Sequence, residues 1–390
     1  MLQCNWVAVL GSALGAVSLL LPWLTLRSSR LAAGEGVGLP GAAGIALTAL
    51  FITLWLSCLW ASFGTRSERR TLLLGIAGAI ALPLALLIAG TGATRLLEPQ
   101  ESVARASLGA GVWLTLLAAY ILIHNSRLGL TDRPRVRSLL TWLGPVLVVA
   151  VGMTGVYGDI SLVQEFQGNE SRFLQETIRH VLLCVGSVTI GTCIAIPLGI
   201  AAARSKKAAR PIIIISSAIE TIPSLALFGL IIAPLSALSY AYPALRELGI
   251  RGVGATPALI ALVLYSLLPI VHNTYVGLRE VSPAALDAGR GMGMSRRQLA
   301  RKVEFPLAAP LIAEGVRTAA VQAVGNTAVA ALIGAGGLGH FIFQGLGQAA
   351  PDLILLGALP IIALALAMDT VMRVIIRGLT PRGLRMEAAQ

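Results

Sequence analysis

Ionisable residues are scarce in this chain, yet a few stand inside its long apolar runs. These residues are Glu220, Glu314, Arg317 and Asp369. A charge within the hydrocarbon region of a membrane is costly, so such residues usually pair with one another or line a polar path. Spacing favours pairs, because Arg317 follows Glu314 by one turn and Arg373 follows Asp369 by four residues. Arg317 could also pair with Glu220 on another helix, and Glu220 could instead offer a counter-charge to a cation.

A second chemically distinctive stretch is basic and rich in glycine. It reads SPAALDAGRGMGMSRRQLARKVEFPLAAP and occupies residues 282–310, between two apolar runs. A Ser-Pro pair begins a short helix, three glycines end it, and Ser295 with Gln298 fits a capping box that opens a second short helix over 296–305. Pro306 marks the entry to the next apolar run. By charge alone, this hairpin fits either a loop near lipid headgroups or a docking element for another protein.

Composition places these residues in a membrane protein. The chain has 390 residues, of which 56% are hydrophobic and only 12% charged, and its mean hydropathy is +0.81. About a quarter of the residues in soluble domains are charged. We therefore predict an all-α, polytopic membrane protein with about ten transmembrane helices. The runs fall at about 5–26, 38–63, 71–91, 108–125, 138–157, 177–203, 211–236, 255–276, 307–332 and 353–376.

The basic residues orient these runs. If the helices alternate across the membrane, the side that carries both termini and the hairpin holds 21 of the 30 Lys and Arg residues, and the other side holds 8. The excess predicts that the first side is cytoplasmic. The net charge of +12 thus reflects orientation and does not indicate nucleic-acid binding. The first run has no Lys or Arg before it, so we expect a retained helix and not a cleaved signal peptide.

The chain is expected to have two parts. Residues 1–126 form about four helices with short loops, and residues 138–378 form a second part whose helices are interrupted by proline. The polar segment 158–176 between spans is expected to be a surface loop with a short amphipathic lead-in. The GAGGLG stretch at 334–339 is expected to be either an external re-entrant or loop segment near a pathway entrance, or a plain glycine-rich turn.

Residue spacing in the hairpin resembles a known family signature. Asp287-Ala288-Gly289, then Gly293, then V-x-F-P ending at Pro306 is similar to the EAA loop of ABC importer permeases, which runs E-A-A, three residues, G, nine residues, I-x-L-P. Each departure conserves charge or size, although the glycine at 289 is expected to loosen the first helix. The resemblance implies a MetI-like permease core over 138–378, with the hairpin over 282–306 as a coupling helix seated in a cytoplasmic ATPase. The implied coupling residues are Asp287, Ala288, Gly289, Gly293 and Pro306.

Three other stretches indicate the branch of this family. ETIPSLALFGLIIAPL (220–235), TPALIALVLYSLLPIVHNTYVGL (256–278) and ALIGAGGLGHFIFQGLGQAAPDLILLGALP (331–360) resemble the osmoprotectant-type permeases, which import glycine betaine, choline and carnitine. The resemblance implies an inner-membrane permease with an ATPase dimer, an external solute-binding protein and a second permease subunit, identical or different. It gives residues 1–126 no role.

Three residues are candidates for the substrate pathway. They are Glu220, Pro223 and Asn273. Interrupted helices commonly line substrate paths in transporters, which favours the region around Pro223. Asn273 stands at the end of its run, where capping or packing is the simpler role.

Enzymatic and cofactor motifs are missing from the sequence. None of the three lysines follows a glycine, so there is no P-loop, and neither HExxH nor GxSxG occurs. We therefore expect no cofactor, metal or catalytic site in this chain, with ATP and magnesium used by the partner ATPase. The alternatives are a permease of the same architecture for another small solute, such as an amino acid, and a secondary transporter acting alone.

Overall fold

The computed structural model describes residues 5–29, 32–64, 67–97 and 103–381, and it divides the chain into two compact units. Unit 1 contains residues 1–168 with the short segment 347–352, and unit 2 contains residues 169–346 and 353–390. The helices of the first 168 residues are α1 (Trp6–Ser18), α2 (Leu39–Ala43), α3 (Ile45–Ser62), α4 (Glu68–Leu96), α5 (Ala110–Gly129), α6 (Pro134–Gly152) and α7 (Ser161–Gln167).

Unit 1 also contains a small sheet that the sequence did not predict. Its strands are β1 (Pro22–Arg27), β2 (Glu35–Gly38) and β3 (Arg105–Leu108), which form an antiparallel sheet in the order β2-β1-β3. β1 covers the end of the run 5–26, which was expected to be a single helix. The run instead divides into α1 and β1, because an apolar run of this length does not by itself distinguish a helix from a buried strand.

Aromatic side chains form the centre of unit 1. Trp23 on β1 meets Phe51 on α3 edge to face, with ring centroids 5.1 Å apart, and both are fully buried with Trp55. Edge-to-face pairs of this kind bury large apolar areas in a favourable electrostatic arrangement. The sheet is thereby fixed to the helices around it.

The position of α6 differs from the sequence expectation. The fifth run was placed at the start of the second part, after the linker NSRLGLTDRPRVR at residues 125–137, but α6 belongs to unit 1. Gly144 allows α6 to pack closely against α4 of unit 1. A β-carbon at Gly144 would lie only 2.8 Å from Leu82 on α4. The division of the chain into compact units therefore falls at residues 168 and 169.

The regular secondary structure in the described residues of unit 2 is helical. Its helices are α8 (Glu170–Arg204), α9 (Lys206–Thr221), α10 (Ser224–Ala241), α11 (Pro243–Glu247), α12 (Ala255–Arg279), α13 (Pro283–Gly291), α14 (Arg296–Leu299), α15 (Phe305–Ala330), α16 (Gly339–Gly347) and α17 (Pro351–Leu379). A π-helical turn over Ala300–Glu304 joins α14 to α15, and a 3₁₀ turn over Ala331–Ile333 follows α15.

Small residues allow α8, α12 and α15 to pack closely. A β-carbon at Gly199 on α8 would lie 2.5 Å from Thr274 on α12, and one at Gly315 on α15 would lie 2.6 Å from the carbonyl oxygen of Pro269 on α12. Glycine at such positions lets helix backbones approach within a membrane, where van der Waals packing drives helix association. These three helices form the frame on which the polar residues of unit 2 are carried.

The structure confirms a polytopic helical membrane protein. Eight helices in the described part of the chain are long and apolar enough to cross a membrane. All ten expected runs contain helix, but α1 has only 13 residues and α5 ends in the polar sequence HNSR before its last two residues. The seventh run, 211–236, divides between α9 and α10 at Pro223.

The polar segment 158–176 is more regular than expected. It contains α7 and the beginning of α8 and not the predicted surface loop. Glu176 and His180, one turn apart on α8, are both buried, although a polar lead-in predicts exposure. Their contacts are described below.

Candidate coupling hairpin and in-membrane polar residues

The basic hairpin, residues 282–306, has a compact turn at its centre. Gly293 has a φ of 77°, in the left-handed region that favours glycine, and the Met294 N–H donates to the carbonyl oxygen of Gly289 at 3.2 Å. This bond spans the end of α13 in the manner of a Schellman motif, which satisfies a free helix carbonyl. The spacing of Gly293 from Asp287-Ala288-Gly289 therefore has a local structural cause.

Gly289 has a different role from the one expected of it. It is buried, and a β-carbon at this position would lie 2.5 Å from Cδ1 of Leu299 on α14. This glycine was expected to loosen α13. In the structure it instead allows a close contact between the two arms of the hairpin. Leu299 is itself 6% exposed, so the small residue closes an apolar contact.

The capping box predicted at the second arm is confirmed. The Ser295 N–H donates to Gln298 Oε1 at 2.8 Å, and the Gln298 N–H donates to Ser295 Oγ at 3.4 Å. However, the second arm is not a separate helix over 296–305. It continues through the π-helical turn into α15, because Pro306 has no N–H for the carbonyl four residues earlier and a widened turn relieves the clash of its ring.

The outer surface of the hairpin is charged and open. Asp287 and Arg290 form an ion pair at 2.8 Å, with 69% and 64% of their side chains exposed. Ala288 is also exposed, and Pro306 is exposed where the second arm enters α15. Beside this surface lies a groove of about 740 Å³. The groove is lined by Arg204, Arg290, Met294, Arg296, Arg297, Leu299 and Glu304.

One ion pair anchors the hairpin to the frame of unit 2. Arg204, the last residue of α8, donates both terminal nitrogens to the carboxylate of Glu304, just before α15. Bidentate pairs of this kind fix direction as well as distance. The hairpin is thus attached at the ends of two long helices and not only through its own chain.

The in-span charges form one network on α15 and α17. Arg317 contacts Glu314 at 2.9 Å, as the spacing predicted, and it also contacts Asp369 at 2.6 Å. Arg373 completes the network through its expected contact with Asp369 at 2.8 Å. The alternative pair of Arg317 with Glu220 is not formed. The structure therefore supports pairing as the role of Glu314, Arg317 and Asp369.

The three candidate pathway residues lie on different elements. Glu220 is in the last turn of α9, where its Oε1 accepts a hydrogen bond from Gln322 Nε2 at 3.0 Å. Pro223 follows at the break between α9 and α10. Asn273 lies on α12, donates to the carbonyl oxygen of Pro269 at 2.8 Å and contacts α15 at Gly315. Glu220 and Pro223 are thus neighbours, whereas Asn273 takes part in helix packing.

Sequence reasoning missed a polar clamp on the glycine stretch 334–339. The Gly337 N–H donates to Glu176 Oε2 at 2.6 Å, and the Leu338 N–H donates to His180 Nδ1 at 3.3 Å. His180 Nε2 lies 3.1 Å from the carbonyl oxygen of Val324, so the imidazole bridges the loop and α15. A carboxylate and an imidazole four residues apart at the start of an apolar helix were the available signal, because i and i+4 share one face.

The glycine stretch needs glycine for conformation as well as for space. Gly334, Gly336 and Gly337 all have positive φ, from 76° to 91°. A β-carbon at Gly339 would lie 1.9 Å from the backbone carbonyl oxygen of Ala328. The stretch is therefore an ordered, clamped loop between α15 and α16.

We expect Gly339→Ala to destabilise the protein by about 1–3 kcal/mol, because an added β-carbon would meet backbone that cannot rotate away. The matched control is Gly229→Ala on α10, where a β-carbon meets nothing within 4 Å. That change should be neutral or stabilising by up to about 1 kcal/mol, since alanine favours a helix. Melting midpoints of the purified variants in one detergent measure both. Equal midpoints would contradict the tight contact at Gly339.

Known proteins match both parts of the chain. The family described as binding-protein-dependent transport system inner membrane component matches residues 195–382, which include the basic hairpin. The choline transport system permease protein OpuBB of Bacillus subtilis (strain 168) is 41% identical over 224 residues, covering 57% of this chain and 96% of that protein. This chain belongs to the permease subunits of the binding-protein-dependent ABC importers. It is a multi-pass membrane protein and a transport component, and permeases of this family work with an ATPase and a solute-binding protein.

A second relative, also a transport permease, agrees with this assignment. The carnitine transport permease protein OpuCB of Listeria monocytogenes is 40% identical over 225 residues, covering 58% of this permease and 96% of that protein. The resemblance to osmoprotectant-type permeases is thus confirmed. A solved inward-facing structure of the MetNI methionine ABC transporter aligns with a TM-score of 0.46 at 21% identity, covering 54% of this permease and 96% of that chain.

The first part of the permease also has relatives. The N-terminal domain of the ABC transporter permease YehY matches residues 4–163. The matched segment is longer than the expected extension over 1–126. It ends five residues before residue 168, where the first stretch of unit 1 ends.

Proposed function

We propose that this permease is the membrane subunit of an ATP-driven importer for compatible solutes of the quaternary ammonium class, such as glycine betaine or choline. The observation that carries the proposal is the match to permeases named for choline and for carnitine over 96% of their length. The matched family segment also includes the basic hairpin, whose fold leaves Asp287 and Ala288 exposed for a partner.

The basic hairpin is the proposed contact with the ATPase. Coupling requires a rigid element that transmits motion, and the contact of Gly289 with Leu299 and the pair of Arg204 with Glu304 supply rigidity. Asp287, Ala288, Gly289, Gly293 and Pro306 remain the proposed coupling residues. In this proposal an ATPase dimer uses ATP and magnesium, and the permease itself holds no cofactor.

The remaining partners and the orientation follow from the same proposal. The excess of Lys and Arg on the side of the hairpin supports a cytoplasmic hairpin and cytoplasmic termini in the inner membrane. A binding protein delivers solute at the opposite face, and a second permease subunit, identical or different, completes the path. Glu220 and Pro223, at the break between α9 and α10, are proposed to line that path, and Asn273 is proposed as a neighbouring residue.

Uptake in cells with and without this permease tests the proposal. We expect deletion to abolish ATP-dependent accumulation of labelled glycine betaine, choline or carnitine, measured at low and high osmolarity, with labelled proline as a compatible solute outside the quaternary ammonium class. Re-expression of the permease should restore the loss. Unchanged accumulation of all four solutes would contradict the proposed solute class, and amino-acid uptake would then be the next measurement. Accumulation that persists without ATP would instead favour a secondary transporter.

A further inference from the structure

Glu220 lies beside a fixed break in a membrane-spanning region. α9 ends at Thr221, and α10 begins at Ser224 after Pro223. The carbonyl oxygen of Ile222, freed by the break, accepts a hydrogen bond from the Tyr265 hydroxyl on α12 at 2.6 Å. This bond fixes the break in place, so the carboxylate of Glu220 projects from an anchored position.

The carboxylate of Glu220 has a neutral partner. Its one hydrogen bond comes from the Gln322 amide, and none of the basic side chains in the described ranges lies within ion-pair distance of it. Arg317, five residues before Gln322 on α15, is occupied by Glu314 and Asp369. An amide orients a carboxylate without cancelling its charge. The carboxylate of Glu220 is therefore not held in an ion pair by the described basic side chains, and it is open to a ligand.

Polar side chains are exposed close to Glu220. Gln322 is exposed within unit 2, and so is Thr318, about one turn before it on α15. Thr221, next to Glu220, is exposed as well. Polar and ionisable side chains in membrane spans usually face a bundle interior or a water-filled path. This surface is thus suited to a path for a polar solute.

We infer that the Glu220–Gln322 pair is a cation-preferring site on the solute path, which favours solutes with a net positive charge over zwitterionic ones. A quaternary ammonium group has no N–H to donate, so its recognition depends on charge and on contact with its methyl groups. Choline carries only the positive group, whereas glycine betaine also carries a carboxylate that Glu220 repels. The inference rests on the proposed function, because it concerns the discrimination between two solutes of the proposed class.

The test compares Glu220→Gln with the wild type in vesicles that contain the permease, its ATPase and one binding protein. Uptake of labelled choline and of labelled glycine betaine is measured as kcat/KM for each. We expect the choline value to fall about tenfold or more, since the attraction between the carboxylate and the cationic solute is removed. The glycine betaine value should change less than about twofold, because its two charges nearly cancel at this site. The wild type and the variant use the same binding protein. A change in the ratio of the choline value to the glycine betaine value therefore arises in the permease.

Two further variants separate a site from a structural role. Glu220→Asp retains the charge and should retain at least part of the preference for choline. Glu280→Gln, an exposed acid at the end of α12, should leave the ratio unchanged. An equal loss of both solutes in Glu220→Gln, or an unchanged ratio, would overturn the inference while leaving the proposed function intact. If the wild type transports neither solute, the proposed function fails and the inference fails with it.

Discussion

Asp287→Lys is expected to abolish ATP-driven uptake while the permease still folds and reaches the membrane. The side chain of Asp287 is 69% exposed, and its ion pair with Arg290 lies at the surface. Exposed pairs of this kind contribute about 1 kcal/mol at most, so the fold does not depend on it. Reversal of a charge at a docking surface, in contrast, places like charges together and costs several kcal/mol of association.

The measurement for Asp287→Lys is solute-stimulated ATP hydrolysis and uptake by the reconstituted importer. Membrane content and melting midpoint are measured in parallel. The matched control is Asp132→Lys, a charge reversal at an exposed acid outside the basic hairpin, which should leave both activities near wild type. Retained uptake in Asp287→Lys would remove this residue from the coupling contact. Loss of the protein from the membrane would show that it serves the fold instead.

Arg317→Met is expected to cause the largest loss of folded protein. Arg317 holds both Glu314 and Asp369, and only 24% of its side chain is exposed. Without the guanidinium, Glu314 loses its partner and Asp369 keeps only Arg373. Removing one partner of an ion pair within a membrane span leaves an uncompensated charge, which is more costly than removing the whole pair. We therefore expect the amount of folded permease to fall several-fold.

Compensating changes test this explanation for Arg317. The triple variant Glu314→Gln, Arg317→Met, Asp369→Asn removes both acids that Arg317 leaves behind. It should recover much of the folded protein, because the one charge that then loses its partner, Arg373, is 58% exposed. Arg373→Gln is the matched control, because Arg373 contacts the same aspartate but is 58% exposed. Its effect should be small. The amount of monodisperse permease after detergent extraction measures all the variants. A triple variant as unstable as Arg317→Met would contradict the charge explanation.

Local patterns in the sequence predicted much of the hairpin and of the in-span pairs. The capping box at Ser295 and Gln298 and the contact of Arg373 with Asp369 connect residues three or four apart, so their geometry follows from the helix itself. Apolar run length predicted the spanning helices, and the spacing of the hairpin indicated the family. Each of these features is set within about twenty residues of chain.

Contacts between distant residues could not be predicted in this way. Arg317 meets Asp369 across 52 residues, and the Gly337 N–H meets Glu176 across 161. Such contacts depend on which helix faces pack together, and no local period specifies that choice. The same limit applies to α6, which the linker assigned to the second part and which packing places in unit 1.

The sequence by itself therefore determined the class of protein, most of its spanning segments and the position of the basic hairpin, because hydropathy, charge bias and capping are read along the chain. The tertiary structure alone decided which charges are neutralised. In the structure Arg317 pairs with Glu314 and Asp369, whereas Glu220 accepts a hydrogen bond from the neutral amide of Gln322. The physical reason is that helix packing chooses the partner of an in-span charge, so only the packing shows which charge has no ionic partner among the described residues.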